Sequence, residues 1–99
     1  MKTVVINGKE WKLAYNLRSL FIYEEAAGHP YKAEKTIDTY LLFWSMLSAN
    51  NPDFSMEFEE LVDACDADME LYQAFAEVME DHWKRVSAFV DNKKKAVTQ

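Results

Sequence analysis

This chain of 99 residues has one cysteine and only two glycines, and each scarcity excludes a class of protein. A single cysteine, Cys65, cannot form an intramolecular disulfide, which suits the reducing cytoplasm. Two glycines are too few for a glycine-rich phosphate-binding loop. The longest apolar run, residues 40–47, is too short to span a bilayer, and no signal peptide is visible after Met1. We therefore expect a cytoplasmic protein with no membrane partner, folded as a single domain over 1–99.

Basic residues are absent from the middle of the chain. Residues 53–81 carry eleven acidic side chains and no basic one, whereas residues 82–99 carry five basic and one acidic. The formal net charge is −6, and an acidic surface repels phosphate, so we expect no nucleic-acid partner. A solvated acidic face would explain this pattern. Alternatively, the acidic middle of one copy meets the basic end of another.

Groups that could support catalysis or bind a metal are also scarce. The chain has two histidines, and the residue three before His82 is Met79, so the Glu-x-x-His pair of a di-iron helix is missing. Cys65 has no CxxC partner, and its position on the apolar face of a predicted helix favours inert packing. We therefore expect no metal, no cofactor and no enzymatic activity.

The start of the chain has the pattern of a β-hairpin. Asn7-Gly8 separates two apolar segments, and this dipeptide is a strong hairpin signal. Either a two-residue turn or a four-residue loop can join the strands. We prefer the loop, which pairs Ile6 with Trp11 and Val4 with Leu13, because we expect it to collect the apolar side chains on one face.

Apolar periodicity predicts helices for most of the remaining chain. We expect an α+β fold, mainly α, with an N-terminal two-stranded hairpin over 3–15 packed on about four helices, the last of them long. The second helix is apolar on almost every side and should be central. The predicted N-caps are Asn16, Thr36, Ser55 and either Asp66 or Asp68. The predicted helices cover 17–27, 37–50, 56–65 and 68–92, and the tail 95–99 should fray.

The long last helix has more apolar surface than its own core requires. One stripe at helical spacing contains Tyr72, Ala76, Met79, Trp83, Val86 and Val90. An adjacent stripe contains Leu71, Phe75, Val78, His82 and Phe89, with Arg85 as its only charged member. One stripe is enough to seat a helix, so two indicate a surface for another protein or another copy. The predicted partner-binding residues are Leu71, Phe75, Val78, His82, Trp83, Val86, Phe89 and Val90.

Residues 4–13, 17–28 and 51–63 contain motifs that resemble those of the small tail assembly chaperones of long-tailed, siphovirus-like phages and prophages. Residues 4–13, Val-Val-Ile-Asn-Gly-Lys-Glu-Trp-Lys-Leu, are similar to the family's opening, a hydrophobic segment followed by Asn-Gly-Lys, Glu and an aromatic residue. Residues 17–28, with Leu-Arg-x-Leu, two glutamates and a glycine, resemble its first helix. Residues 51–63, Asn-Pro-Asp-Phe-Ser followed by Phe-Glu-Glu-Leu, resemble its middle. The likeness covers roughly residues 4–65, and the aromatic second helix departs from the smaller residues often seen there.

The resemblance implies a non-catalytic role with two protein partners. Such chaperones coat the long apolar tape-measure protein, keep it soluble and help to recruit the tail tube protein. They are often made in a short form and a frameshifted longer form. Self-association is also expected, because the charge is segregated along the chain. The competing classes are an acidic homo-oligomeric interaction module and an inhibitor that mimics nucleic acid, and a small enzyme is disfavoured by the missing catalytic residues.

Overall fold

The elements of the fold follow one another with short connections. The computed structural model describes the backbone of residues 2–97 and the side chains of residues 2–90. Within these residues, an antiparallel hairpin precedes four helices, the last of them long, so the predicted α+β, mainly α fold class is confirmed. The elements are β1 (Lys2–Ile6), β2 (Lys9–Leu13), α1 (Leu17–Ala27), α2 (Thr36–Asn50), α3 (Phe58–Ala67) and α4 (Met69–Val97).

The hairpin closes with a two-residue turn, so the predicted four-residue loop is wrong. Val4 pairs with Trp11 rather than with Leu13. Asn7 has φ 54° and Gly8 has φ 79°, and positive φ at both central positions is what a type I′ turn requires. The two registers differ by two residues and therefore place the same side chains on the same face. Both registers therefore bury the same apolar side chains, and the conformation of the turn determines which register forms.

Helix α2 lies at the centre of the molecule, as its apolar sequence predicted. It packs against α1, β2 and α3, and the inner face of the hairpin closes the same core. The buried hydrophobic residues are Val4, Ile6, Trp11, Leu13, Tyr23, Leu42, Phe43, Met46, Leu47, Leu61, Cys65, Leu71 and Phe75. An isolated hairpin would be marginal in water, so this packing stabilises both strands.

The ends of α1 follow the local sequence. Asn16 is the N-cap, and its side-chain oxygen accepts a hydrogen bond from the backbone N–H of Ser19 at 3.0 Å. Gly28 ends the helix in the left-handed conformation, with φ 79°, and its N–H donates to the carbonyl of Glu24 at 2.8 Å. Both interactions satisfy backbone groups that a helix end leaves unpaired, and the predicted range is confirmed.

Two predicted N-caps are wrong. Thr36 is already helical, and the N-cap is Lys35, whose N–H donates to the Asp38 carboxylate at 3.0 Å. Helix α3 begins at Phe58 with Glu57 as its N-cap, not after Ser55. A tertiary contact accounts for the later start, because the indole N–H of Trp44 donates to the carbonyl of Met56 at 2.8 Å. This bond holds the preceding segment extended against α2.

Helix α4 begins where one of the two predicted caps lies. The Asp68 carboxylate accepts a hydrogen bond from the N–H of Glu70 at 3.0 Å. The helix runs to Val97 rather than ending near Asn92. Fraying was predicted for 95–99, but residues 95–97 are helical, and residues 98–99 lie outside those that the structure describes.

The molecule is elongated because α4 is longer than the body it packs on. Its 29 residues correspond to about 43 Å of helix, and the principal extents are 53 × 27 × 25 Å. The radius of gyration, 15.1 Å, exceeds the roughly 13 Å of a compact 100-residue domain. Leu71 and Phe75 near the start of α4 are buried, whereas Phe89 and Val90 are exposed, so its C-terminal half extends past the body.

Candidate partner-binding surface

The first half of α4 belongs to the core. Leu71 and Phe75 are each only 4% exposed, and the ring of Phe75 stacks on Phe43 with centroids 5.1 Å apart. A side chain buried in its own core cannot contact a partner without unfolding. The prediction that Leu71 and Phe75 line a partner-binding surface is therefore wrong.

Val78 and His82 lie at the junction between α4 and the hairpin. Val78 is half-buried against the core. The His82 ring contacts the ring of Tyr15, with centroids 4.2 Å apart. The two residues line a shallow polar pocket of about 290 Å³ that also contains Lys2 and Arg85. They join the helix to the body and are only partly accessible to a partner.

The remaining predicted residues form an exposed apolar surface on the C-terminal half of α4. Trp83 is 54% exposed, Phe89 66% and Val90 42%, and Val86 is half-buried between them. All four lie on neighbouring turns, because their spacings of three, four and seven residues bring them to one side of a helix. We call Trp83, Val86, Phe89 and Val90 the projecting face. Exposed apolar residues grouped in this way mark interaction sites more often than scattered ones do.

Burial on α4 changes along the helix as well as around it. Tyr72 belongs to the first apolar stripe and is 42% exposed, although it lies beside buried Leu71. Phe89 belongs to the second stripe, whose first members are buried, yet it is 66% exposed. The exposed surface is thus the far end of both stripes.

A second apolar surface, which sequence reasoning did not identify, lies between α2 and α3. We call it the α2–α3 groove, and it has a volume of about 470 Å³. Ile37, at the start of α2, is 57% exposed there. No periodic pattern could have shown this groove, because its walls come from two different helices. Its lining residues are Thr36, Ile37, Tyr40, Phe58, Glu59, Val62, Cys65 and Asp66.

The acidic middle of the chain is a surface feature throughout. Every acidic side chain between residues 53 and 81 is exposed. Few are neutralised within the described residues: Asp53 pairs with Lys9 at 2.6 Å, Glu80 pairs with Lys84 at 3.2 Å, and Glu77 pairs with Lys2. The hydrogen bond from Lys9 lowers the pKa of Asp53. Exposed pairs of this kind contribute little to stability, so the acidic surface is available to partners.

The described residues offer little for catalysis. Cys65 is 8% exposed, and burial, together with the charges of Asp66 and Asp68, raises the pKa of its thiol to about 11. The nucleophilic thiolate is therefore scarce at neutral pH. Among the described residues, no three histidine, cysteine or acidic side chains are grouped as metal ligands. No helix in that part of the chain has the length and apolarity needed to cross a bilayer.

Comparison of the chain with protein-family models, with curated proteins and with solved structures finds no match. A function must therefore be argued from the surfaces described above and from the sequence motifs. The features to explain are the projecting face, the α2–α3 groove and the acidic surface.

Proposed function

We propose that this protein is a non-catalytic tail assembly chaperone of a long-tailed phage or prophage, which binds an apolar helical segment of the tape-measure protein. The observation that carries the proposal is the projecting face, where Trp83, Phe89 and Val90 are exposed on a helix that extends past the body. In this role the chaperone also helps to recruit the tail tube protein.

The chemistry of the projecting face suits a helical client. Large side chains at three- and four-residue spacing form a ridge that packs into the groove of a second helix. Aromatic residues are enriched at protein interfaces, and tryptophan is prominent among the few residues that contribute most of the binding energy. Because the client is apolar along its length, covering it also requires charge on the outer side of the complex, and the exposed acidic residues of 53–81 supply that charge.

The motifs that resemble the chaperone family occupy positions with structural roles. Asn7-Gly8 forms the hairpin turn, Gly28 ends α1, and Asn51 follows the end of α2. Such positions specify a fold rather than a ligand. They support the proposal by favouring a common architecture, while the client is argued from the projecting face.

Co-expression with a client fragment tests the proposal. The client to use is a helical, apolar fragment of a tape-measure protein encoded beside this chain, which we expect to aggregate when it is produced alone. Wild-type protein should keep the fragment in solution and co-purify with it. Replacing Trp83 and Phe89 by serine should abolish both effects, because it removes the exposed aromatic rings.

The matched control replaces Leu17 and Phe21 of α1 by serine. These residues are also exposed, 64% and 56%, but they lie on a different helix. We expect this variant to hold the client as wild type does. The proposal fails if the α4 variant protects the client equally well, or if no gene for a long helical protein lies beside this one.

An inhibitor that mimics nucleic acid is the second candidate, because every acidic side chain of 53–81 is exposed. A mimic would bind a basic protein through its carboxylates and would not need the projecting face. Neutralising Glu59, Asp63 and Asp66 to their amides should then abolish binding, whereas the Trp83 and Phe89 variant should not. The chaperone proposal expects the opposite result.

A further inference from the structure

The α2–α3 groove is apolar at its floor and acidic at its rim. On α3, Phe58, Val62 and Cys65 line the groove at helical spacing. Each is followed directly by an acidic residue, so the sequence of α3 places an acidic stripe beside the apolar one. The residues of this stripe are Glu59, Asp63 and Asp66, and all three are exposed.

We call the C-terminal half of α4, which carries the projecting face, its projecting half. Its composition is complementary to that of the α2–α3 groove. Trp83 is followed by Lys84, and Arg85 precedes Val86, so basic side chains flank the projecting face. Lys84 has an acidic neighbour, Glu80 at 3.2 Å, but both side chains remain largely exposed. The sequence continues with three consecutive lysines, residues 93–95. An apolar helix flanked by positive charge therefore faces solvent in the same molecule as an apolar groove flanked by negative charge.

We propose that the projecting half of α4 in one copy docks in the α2–α3 groove of a second copy. The occupant is argued from charge, because residues 53–81 hold only acidic charged groups and residues 82–99 hold five basic groups and one acidic. Phe89 and Val90 contact Ile37, Tyr40 and the apolar residues of α3. This inference goes beyond the proposed function, because it needs no client.

The contact joins two unlike surfaces, the projecting face of one copy and the groove of the other. A copy that has docked its helix therefore still presents a groove, and its partner still presents a helix. Where this remaining groove and helix also meet, the result is a closed dimer, and otherwise such contacts form rings or open filaments. The contact also covers the projecting face when no client is present.

Complementary variants test the contact. Ile37→Lys places a positive charge in the groove, and Phe89→Glu places a negative charge on the projecting face. We expect each variant alone to associate about tenfold or more weakly than wild type in sedimentation experiments, because each lacks one half of the contact. Mixed in equal amounts, they should form a dimer that does not grow, since one intact groove meets one intact helix.

The controls change the same residue types elsewhere on the surface. Val5→Lys, on the outer face of the hairpin at 55% exposure, is matched to Ile37 at 57%. Phe21→Glu, on α1, is matched to Phe89. Both controls should associate as wild type does, and wild-type association should weaken between about 0.05 M and 1 M salt, because screening shortens the range of the charges.

Several results would overturn the proposal. A wild-type protein that stays monomeric at low salt would do so, and so would an Ile37→Lys variant that associates normally. A third result would be that Ile37→Lys dimerises as wild type does while Phe89→Glu stays monomeric. That result would show that the projecting faces of two copies contact each other symmetrically, without the groove. None of these results bears on the client, whose binding by wild-type protein is measured separately.

Discussion

The side-chain amide of Asn51 pairs with both backbone groups of Lys12. Its oxygen accepts the Lys12 N–H at 2.9 Å, and its nitrogen donates to the Lys12 carbonyl at 2.8 Å and to the Leu47 carbonyl at 2.8 Å. Asn51 follows the last residue of α2 and is only 7% exposed. One side chain therefore joins the end of α2 to β2 through hydrogen bonds. Because it holds the backbone of Lys12, it helps to orient the neighbouring Trp11 and Leu13 into the core.

Replacing Asn51 by alanine should destabilise the protein by about 1–3 kcal/mol, because the part-buried backbone groups of Lys12 and the buried carbonyl of Leu47 lose their partner. Urea unfolding followed by circular dichroism measures the change. Thr3→Ala, at an exposed position of β1, is the control and should have a stability close to that of wild type. An Asn51→Ala variant as stable as the control would contradict the role given to this side chain.

The positive φ of Gly8 in the hairpin turn predicts that L-alanine and D-alanine at this position differ in their effect on stability. A Cβ there would meet no heavy atom within 4 Å, but φ is +79°. Gly8→Ala should therefore cost about 1–2 kcal/mol through backbone strain alone. D-alanine at the same position, introduced by chemical synthesis, favours positive φ and should restore wild-type stability. Equal unfolding midpoints for the L- and D-alanine proteins would contradict the two-residue turn.

The first half of α4 is part of the core and its C-terminal half is exposed, so substitutions in the two halves should affect stability differently. Changing both Phe89 and Val90 to glutamate should leave unfolding cooperative and stability within about 0.5 kcal/mol of wild type, because these residues contact solvent. Leu71→Ala or Phe75→Ala should each cost about 2–5 kcal/mol, because each leaves a cavity in the core. Urea unfolding, at a protein concentration where wild type is monomeric, gives the free energy of unfolding of each variant. A double glutamate variant that unfolds would show that the projecting face is core.

The raised pKa of the buried Tyr23 hydroxyl leads us to expect a loss of stability in alkaline solution. It is fully buried, its hydroxyl donates to the Asp38 carboxylate at 3.2 Å, and burial, Asp38 and Tyr31 raise its pKa from 10.0 to about 12. Between pH 10 and 12 the unfolded tyrosine loses its proton while the folded one keeps it. The stabilising contribution is complete below about pH 10 and falls as the pH rises to 12.

The comparison with Tyr23→Phe isolates this contribution. The variant should be less stable at pH 8 by about 0.5–1.5 kcal/mol through the lost hydrogen bond, and its stability should decline less steeply between pH 10 and 12. Burial also raises the pKa of Tyr15, Tyr31 and Tyr40, so part of the decline remains. Urea midpoints at each pH give the two slopes, and identical slopes would contradict the prediction.

Much of the fold could be predicted because its signals are local. The α1 range follows from Asn16 and Gly28, which satisfy backbone groups a few residues away. The central position of α2 follows from apolar residues on nearly all its sides. The start of α3 could not be predicted this way, because the bond from Trp44 to Met56 joins residues of different segments.

The candidate site was predicted in part. The apolar periodicity of α4 identified a helix with surplus apolar surface, and Trp83, Phe89 and Val90 are indeed exposed. The same pattern also included Leu71 and Phe75, which are buried. The α2–α3 groove was missed, because Ile37 and Val62 form one surface only after the helices pack.

The sequence by itself determined the order of the strands and helices and placed the hairpin turn at Asn7-Gly8, since these signals are local, and it also determined how the charge is distributed along the chain. The tertiary structure alone decided which apolar residues face solvent. A helical repeat looks the same along the whole of α4, but Leu71 and Phe75 in its first part are buried, whereas Phe89 and Val90 are exposed. Exposure depends on where the elements that cover the helix end, and that is a property of the packed molecule rather than of the spacing within one helix.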